Sequence, residues 1–270
     1  METRVGATHT DAACQALNGA AAPHHPPAVW HPWLCRPRGL LAVLFLAGVF
    51  AAMRCLGMLG PASLRPLLPA SFVLMTLAPW LFLSQAGRRH IGLRAPPSWL
   101  AFVPAVLAGI GAALACFALG MLLYGASADN WFVTVAASYR GMMDTAGLSI
   151  LTLHLIFTLP ALLFSPIGEE IFFRGVLQRA LEERFSARAS TVIECAAFGL
   201  VHLCHHGMAW SAAGLAIRPV SGMLWIALMF LAALLFAAIR QRTGSLFPAM
   251  AAHAAFNATM NSVIFAFLWR

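Results

Sequence analysis

Three short patterns in this 270-residue chain hold side chains that could do chemistry. The first is "SPIGEEIFFRGVLQ", Ser165 to Gln178, where Glu169 and Glu170 are adjacent and Arg174 follows four residues after Glu170. The second is "FGLVHLCHH", with Phe198 and His202 four apart. The third is "HAAFNATMN", with His253, Asn257 and Asn261 at four-residue spacing. Side chains four apart share a helix face, so Glu170 can pair with Arg174. Glu169 lies about 100° round the helix and is left free for chemistry. A carboxylate, two imidazoles and a carboxamide on three segments are the groups needed to activate water and to stabilise an oxyanion. The chain has neither a Ser-His-Asp set at motif spacing nor an HExxH.

Each pattern also has a plainer reading. Two carboxylates suit the start of a solvated helix, where they complement its dipole. His202 alone could be a hydrogen-bonded core histidine, and His205 and His206 sit near a span end, where solvent can reach them. Asn261 could serve helix–helix hydrogen bonding. Glu194, eight residues before His202 on the same face, could tune a site or pair with an arginine. What favours chemistry is the setting, because ionisable groups inside apolar segments are costly and mark functional sites.

That setting follows from composition. Hydrophobic residues make up 61% of the chain, charged residues only 10%, and the mean hydropathy is +0.80. A soluble domain of this length needs more charge on its surface. The net charge of +8 comes from seventeen arginines with no lysine. They are scattered at the ends of apolar runs, which fits a membrane protein and not a nucleic-acid binder. Cys14, Cys35, Cys55, Cys116, Cys195 and Cys204 form no CxxC pair, so neither a disulfide framework nor a zinc ribbon is read.

The elements that must position the three patterns are membrane helices. A span needs about 20 mainly apolar residues. Such runs fall near 40–59, 68–86, 98–124, 148–166, 190–205, 221–239 and 245–268. The piece 167–184 is less apolar and could dip into the bilayer, which leaves seven or eight spans. Pro166 and Gly168 read as a break that starts a new helix at the glutamates. Gly109, Gly111, Ala115 and Gly120 in run 98–124 allow close helix contact. Residues 1–38, rich in Ala, His and Pro, read as a disordered polar tail in which His24 and His25 lack partners for a metal site. Residues 39–270 form the membrane domain. Alternation of arginine-rich and arginine-poor loops places the amino terminus in the cytoplasm when seven spans are counted.

In order along the chain, Glu169-Glu170-x-x-x-Arg174, Phe198-x-x-x-His202 and His253-x-x-x-Asn257 resemble the motifs of the CPBP family, the CAAX proteases and bacteriocin-processing enzymes also called Abi. The segment "RTGSLFPAMAAHAAFN" resembles the last motif well, and "IGLRAPPSW" is a looser echo. The motif core covers 165–257. The resemblance implies an all-α, polytopic transmembrane bundle with a conical catalytic cavity in the bilayer, housing a glutamate-dependent intramembrane endopeptidase. It implies Glu169 as general base, His202 as the residue orienting water, His253 and Asn257 as oxyanion donors, and Glu170, Arg174 and Phe198 in support. No cofactor is expected; the rival is zinc held by Glu169, His202 and His253. The expected partners are the lipid bilayer and a membrane-associated protein or peptide, with no nucleic acid. A prenylated C-terminal tail, a peptide leader and a C-terminal sorting helix all remain open as substrates. The expected location is the inner (plasma) membrane of a bacterium. Two further readings stand beside the protease: a transporter or proton relay through Glu194, His202 and His253, and a non-catalytic scaffold.

Overall fold

The computed structural model describes residues 30, 36–211 and 214–269. His24, His25, Cys14 and Cys35 therefore lie outside the described residues, with most of the expected tail. The first helix, α1, already runs from Arg36 to Leu59. There follow α2 (Leu67–Phe82), the short α3 (Gln85–His90), α4 (Phe102–Tyr124), α5 (Trp131–Met142) and α6 (Ile150–Glu169). A π-helical stretch, Glu170–Leu177, carries α6 directly into α7 (Gln178–Leu181). Then come α8 (Ala187–Val201), α9 (Pro219–Thr243) and α10 (Leu246–Val263). The structure is 79% helical, which makes it the all-α bundle expected. The hydrophobic pattern had not indicated the antiparallel hairpin of β1 (Met208–Ser211) and β2 (Gly214–Ile217), between α8 and α9.

Among the described residues, seven helical stretches are long and apolar enough to cross a membrane. Of the seven or eight spans left open by the sequence, seven are found, and the piece 167–184 is not separate: Ile150–Leu181 runs on as one stretch of 32 residues. At 1.5 Å per residue it is about 48 Å long, well beyond a hydrocarbon layer of about 30 Å. Its environment changes along its length. Leu151, Leu155, Leu159 and Leu163 form an exposed stripe, as for a helix facing lipid, whereas every residue from Gly168 to Gln178 is buried.

Nor do Pro166 and Gly168 break the helix. Both lie inside α6. A proline in a membrane helix is tolerated where neighbours and local π adjustments take up the freed backbone groups, and the π-helical stretch begins four residues later. Gly168 has a different task, as a Cβ there would lie 2.5 Å from the carbonyl oxygen of Phe72 in α2. Gly109 does the same for α4 against α10, where an added Cβ would meet the carbonyl oxygen of Ala252 at 2.0 Å. Of the other small residues in that helix, Gly120 packs on Asn130 and Trp131, and Gly111 has nothing within 4 Å.

Local chemistry sets the helix ends. The side chains of Asn130, Ser149, Ser186 and Ser245 each accept a backbone N–H at the start of α5, α6, α8 and α10. Gly244 closes α9 in the left-handed conformation, at φ 63°, and turns the chain straight into α10. α10 packs against α4 and α6, α9 against α8, and α2 against α6. The three motif segments thereby meet around the buried rings of Phe172, Phe173, Phe198 and Phe236.

Candidate active site

Glu169 and Glu170 end α6 and open its π-helical continuation, His202 follows α8, and His253 and Asn257 lie one turn apart on α10. All five are buried, both glutamates completely. His253 joins the two carboxylates. Its Nδ1 donates to Glu170 Oε1 at 2.9 Å, and its Nε2 lies 3.7 Å from Glu169 Oε2. The ring is held by stacking on Phe236, with centroids 4.9 Å apart and planes 13° from parallel.

The expected pairing of Glu170 with Arg174 is present, Nε to Oε2 at 3.3 Å. Glu194 joins from the other side, its Oε1 3.7 Å from Arg174 Nε, and also accepts from Cys195 Sγ at 3.3 Å. Of the two roles open to Glu194 in the sequence, pairing with an arginine is the one seen. The guanidinium of Arg174 lies 4.1 Å from the centroid of Phe198. Phe198 also meets His202 at 4.4 Å and His253 at 5.9 Å, so one ring spaces the arginine from both imidazoles.

Glu169 is not the free carboxylate expected. Arg54, on α1, donates Nη1 to Glu169 Oε1. The same guanidinium gives Nε to His205 Nε2 at 3.0 Å and places Nη2 3.4 Å from His202 Nε2. His202 Nδ1 lies 2.7 Å from the carbonyl oxygen of Phe198. That nitrogen therefore carries the proton and Nε2 presents a lone pair toward the arginine. Motif reading missed Arg54, although a signal was present: an arginine within an apolar span is expensive unless it has partners inside the protein. His205, read as solvated, lines the site as a partner of Arg54.

A cavity of about 330 Å³ opens onto this cluster. Arg54, His202, His205, His253 and Asn257 supply its polar end, and Phe72, Phe157, Phe164, Met229, Phe236 and Met260 much of the rest. Glu169, Glu170 and Glu194 do not line it. The carboxylates stand one layer back, Glu169 behind Arg54 and Glu170 behind His253. Glu169 Oε2 has no hydrogen-bond partner.

Asn257 gives one amide hydrogen to the Ala161 carbonyl at 3.0 Å. Asn261 is a helix–helix bond: it donates to Thr158 Oγ1 at 3.1 Å and accepts from Tyr139 Oη at 2.7 Å. His206 is also structural, bridging Thr134 Oγ1 and Ser221 Oγ at 2.9 Å each. Burial above all, helped by Arg218 and opposed by Asp129, pushes its imidazole down to about 4. Among the described residues, no three His, Cys, Asp or Glu side chains are grouped to hold a metal ion.

A helical membrane bundle that buries two glutamates, two histidines and an asparagine beside an apolar cavity has the make-up of an intramembrane hydrolase. Comparison with known families gives the same class: residues 151–259 match the family model described as Type II CAAX prenyl endopeptidase Rce1-like. The match holds all three motifs, so the resemblance to the CPBP family is shown over the segment that carries them. The family implies a protease. No curated protein and no solved structure matches the chain.

Proposed function

We propose that the protein is an intramembrane endopeptidase that hydrolyses a peptide bond of a membrane-associated protein or peptide with a glutamate- and histidine-activated water, without a metal or other cofactor. The observation that carries this reading is Glu169 Oε2, a buried carboxylate oxygen without a hydrogen-bond partner, set between the His202 and His253 segments behind the polar end of the cavity. In this reading Glu169 Oε2 takes the proton of the attacking water and His202 Nε2 orients it. As water adds to the carbonyl carbon, negative charge develops on the carbonyl oxygen. His253 and Asn257, both lining the cavity, are the donors assigned to it: Asn257 through its second amide hydrogen, and His253 through Nε2–H once the ring carries a second proton beside the one given to Glu170. One such donor is worth about 2.7–4 kcal/mol in a water-excluded site. Glu169 then returns the proton to the leaving nitrogen as the C–N bond breaks. Glu170, Arg174 and Phe198 hold His253 and the glutamate turn in place.

The substrate proposed is a chain whose cleavage site has apolar neighbours, in keeping with the apolar remainder of the cavity. The first probe is a quenched fluorogenic peptide bearing a farnesylated cysteine, three further residues and a free carboxyl, as the matched family's description suggests. Because a leader or a sorting helix fits as well, the same variants are compared by membrane proteomics in cells. The proposed setting is a bacterial plasma membrane with the amino terminus in the cytoplasm. Glu169→Ala and His202→Ala should each abolish cleavage and leave uncleaved protein accumulating, at unchanged expression. Full activity in either variant would overturn the reading. Exhaustive chelation should leave cleavage intact, and loss with zinc-specific rescue would restore the metal alternative.

A further inference from the structure

Arg54 belongs to none of the three motifs and lies outside the matched segment 151–259. It is nonetheless the residue through which their parts touch. Each of its three guanidinium nitrogens faces a different group: Nη1 faces Glu169, Nη2 faces His202 and Nε faces His205. Two of these partners are the groups to which the reading above gives the water. The cation is 2% exposed, and packs 5.4 Å from the ring centroid of Phe72. Phe72 belongs to the stretch of α2 that lies directly on Gly168, next to Glu169. Among the described residues lining the cavity, Arg54 is the only arginine or lysine.

A planar guanidinium is a rigid fork whose donors lie at fixed angles. Bound to Glu169 Oε1 on one tine and facing His202 Nε2 on the other, it fixes the carboxylate relative to the imidazole. It leaves Glu169 Oε2 as the unpartnered oxygen. His205 closes the third side and stops the fork from rotating. We propose that Arg54 is a positioning residue for the hydrolysis: it sets the spacing and orientation of Glu169 and His202 from α1 and occupies Glu169 Oε1, so that Oε2 is the oxygen left for the water. The inference rests on the proposed roles of Glu169 and His202. It adds that the site is incomplete without a helix outside the motif core.

The test uses the full chain in lipid nanodiscs, with Arg54→Met, Arg54→Lys and the charge-matched double variant Arg54→Met/Glu169→Gln. The first readout needs no substrate: the rate at which dicyclohexylcarbodiimide labels Glu169, followed by mass spectrometry. Labelling of Glu170 and Glu194, which Arg174 holds, is the internal control. Arg54→Met should raise the Glu169 rate at least tenfold over the controls, and Arg54→Lys should give an intermediate value. The second readout is cleavage of the farnesylated probe. Turnover should fall about 100-fold in Arg54→Met, as expected when reacting groups lose alignment, with KM within threefold of wild type. Arg54→Lys should recover part of the loss. The double variant, which removes both buried charges together, should fold and melt like the parent and so separate misfolding from misalignment. Unchanged Glu169 labelling, or turnover in Arg54→Met equal to or above wild type, would overturn the proposal. Inactive Glu169→Ala beside fully active Arg54→Met would remove the Arg54 role alone. A fully active Glu169→Ala would remove the reading beneath it, whatever the labelling shows.

Discussion

Gly168→Ala is a small perturbation with a large expected effect. The new methyl would stand 2.5 Å from the carbonyl oxygen of Phe72 and 3.1 Å from its carbonyl carbon and Cα. Ordinary contact begins near 3.4 Å, so α2 and α6 must part by about 0.9 Å at this level. Neither side has a flexible chain end to give way, because both surfaces are helix backbone. Overpacking of this kind costs about 1–3 kcal/mol. Replacing glycine by alanine in a helix returns about 1 kcal/mol of propensity, which leaves a net loss of roughly 0–2 kcal/mol. The protein should therefore still fold. The chemistry should suffer more than the stability does. Glu169 is the next residue, and the displaced Phe72 is the ring against which Arg54 rests. A shift near 1 Å in such groups can cost about 100-fold in rate. Probe turnover and thermal midpoint would be measured for Gly168→Ala beside Gly111→Ala, where nothing lies within 4 Å of the added methyl. The control should be as active as wild type. If Gly168→Ala matches wild type in both turnover and midpoint, the contact with Phe72 does not set the position of Glu169.

Asn257→Ala should lower turnover about 100- to 1,000-fold through the lost oxyanion donor, with little change in thermal midpoint; a variant within threefold of wild type would remove that role. Tyr139→Phe leaves Asn261 Oδ1 without its donor and should cost about 1–3 kcal/mol of stability, read as a lower midpoint in the same detergent. His206 gives a pH dependence with a definite sign. Its folded value of about 4 lies below the ordinary 6.5, so its neutral form contributes fully above pH 6.5, and that contribution is lost as pH falls toward 4. The loss approaches about 3 kcal/mol. Wild type should lose more thermal stability between pH 7 and pH 4 than His206→Gln, and equal losses would contradict this assignment.

Much of the fold could be read from the sequence because bilayer thickness sets the length of an apolar run. All seven expected runs overlap the seven long apolar helices found among the described residues, each starting close to its helix except the run 68–86, which begins later than its stretch Ala62–Phe82. The 167–184 piece was the exception. Its charge made it look like a separate element, although Glu169, Glu170 and Arg174 neutralise one another or find partners within the bundle and can be buried in a continuing helix. The break assigned to Pro166 and Gly168 had the same origin. Both residues disrupt helices in water, but here one is absorbed by the adjoining π-helical stretch and the other makes room for α2. The β1–β2 hairpin escaped because its residues, Met208 to Ile217, have no alternation of apolar and polar side chains: the positions between Met208, Trp210, Leu215 and Ile217 are mostly alanine.

The doubled glutamate shows how a site can be half legible. Each carboxylate has an arginine, but the two arginines are supplied in different ways. For Glu170 the partner is Arg174, four residues on, and helix geometry alone foretells the pair. For Glu169 it is Arg54, 115 positions earlier and on another helix. No rule of spacing connects them, and the link exists only because α1 packs against α2 and meets the ends of the motif helices. The rule that could have found it is energetic. A lone arginine inside an apolar run costs several kcal/mol unless a buried acid meets it, and a buried carboxylate bears the same cost in reverse. Glu170 already had a local arginine, whereas Glu169 had none. Leaving Glu169 unpaired therefore required one of two things: either it faced bulk solvent, or an unassigned cation from elsewhere met it. Complete burial rules out the first, and Arg54 is the buried cation that supplies the second.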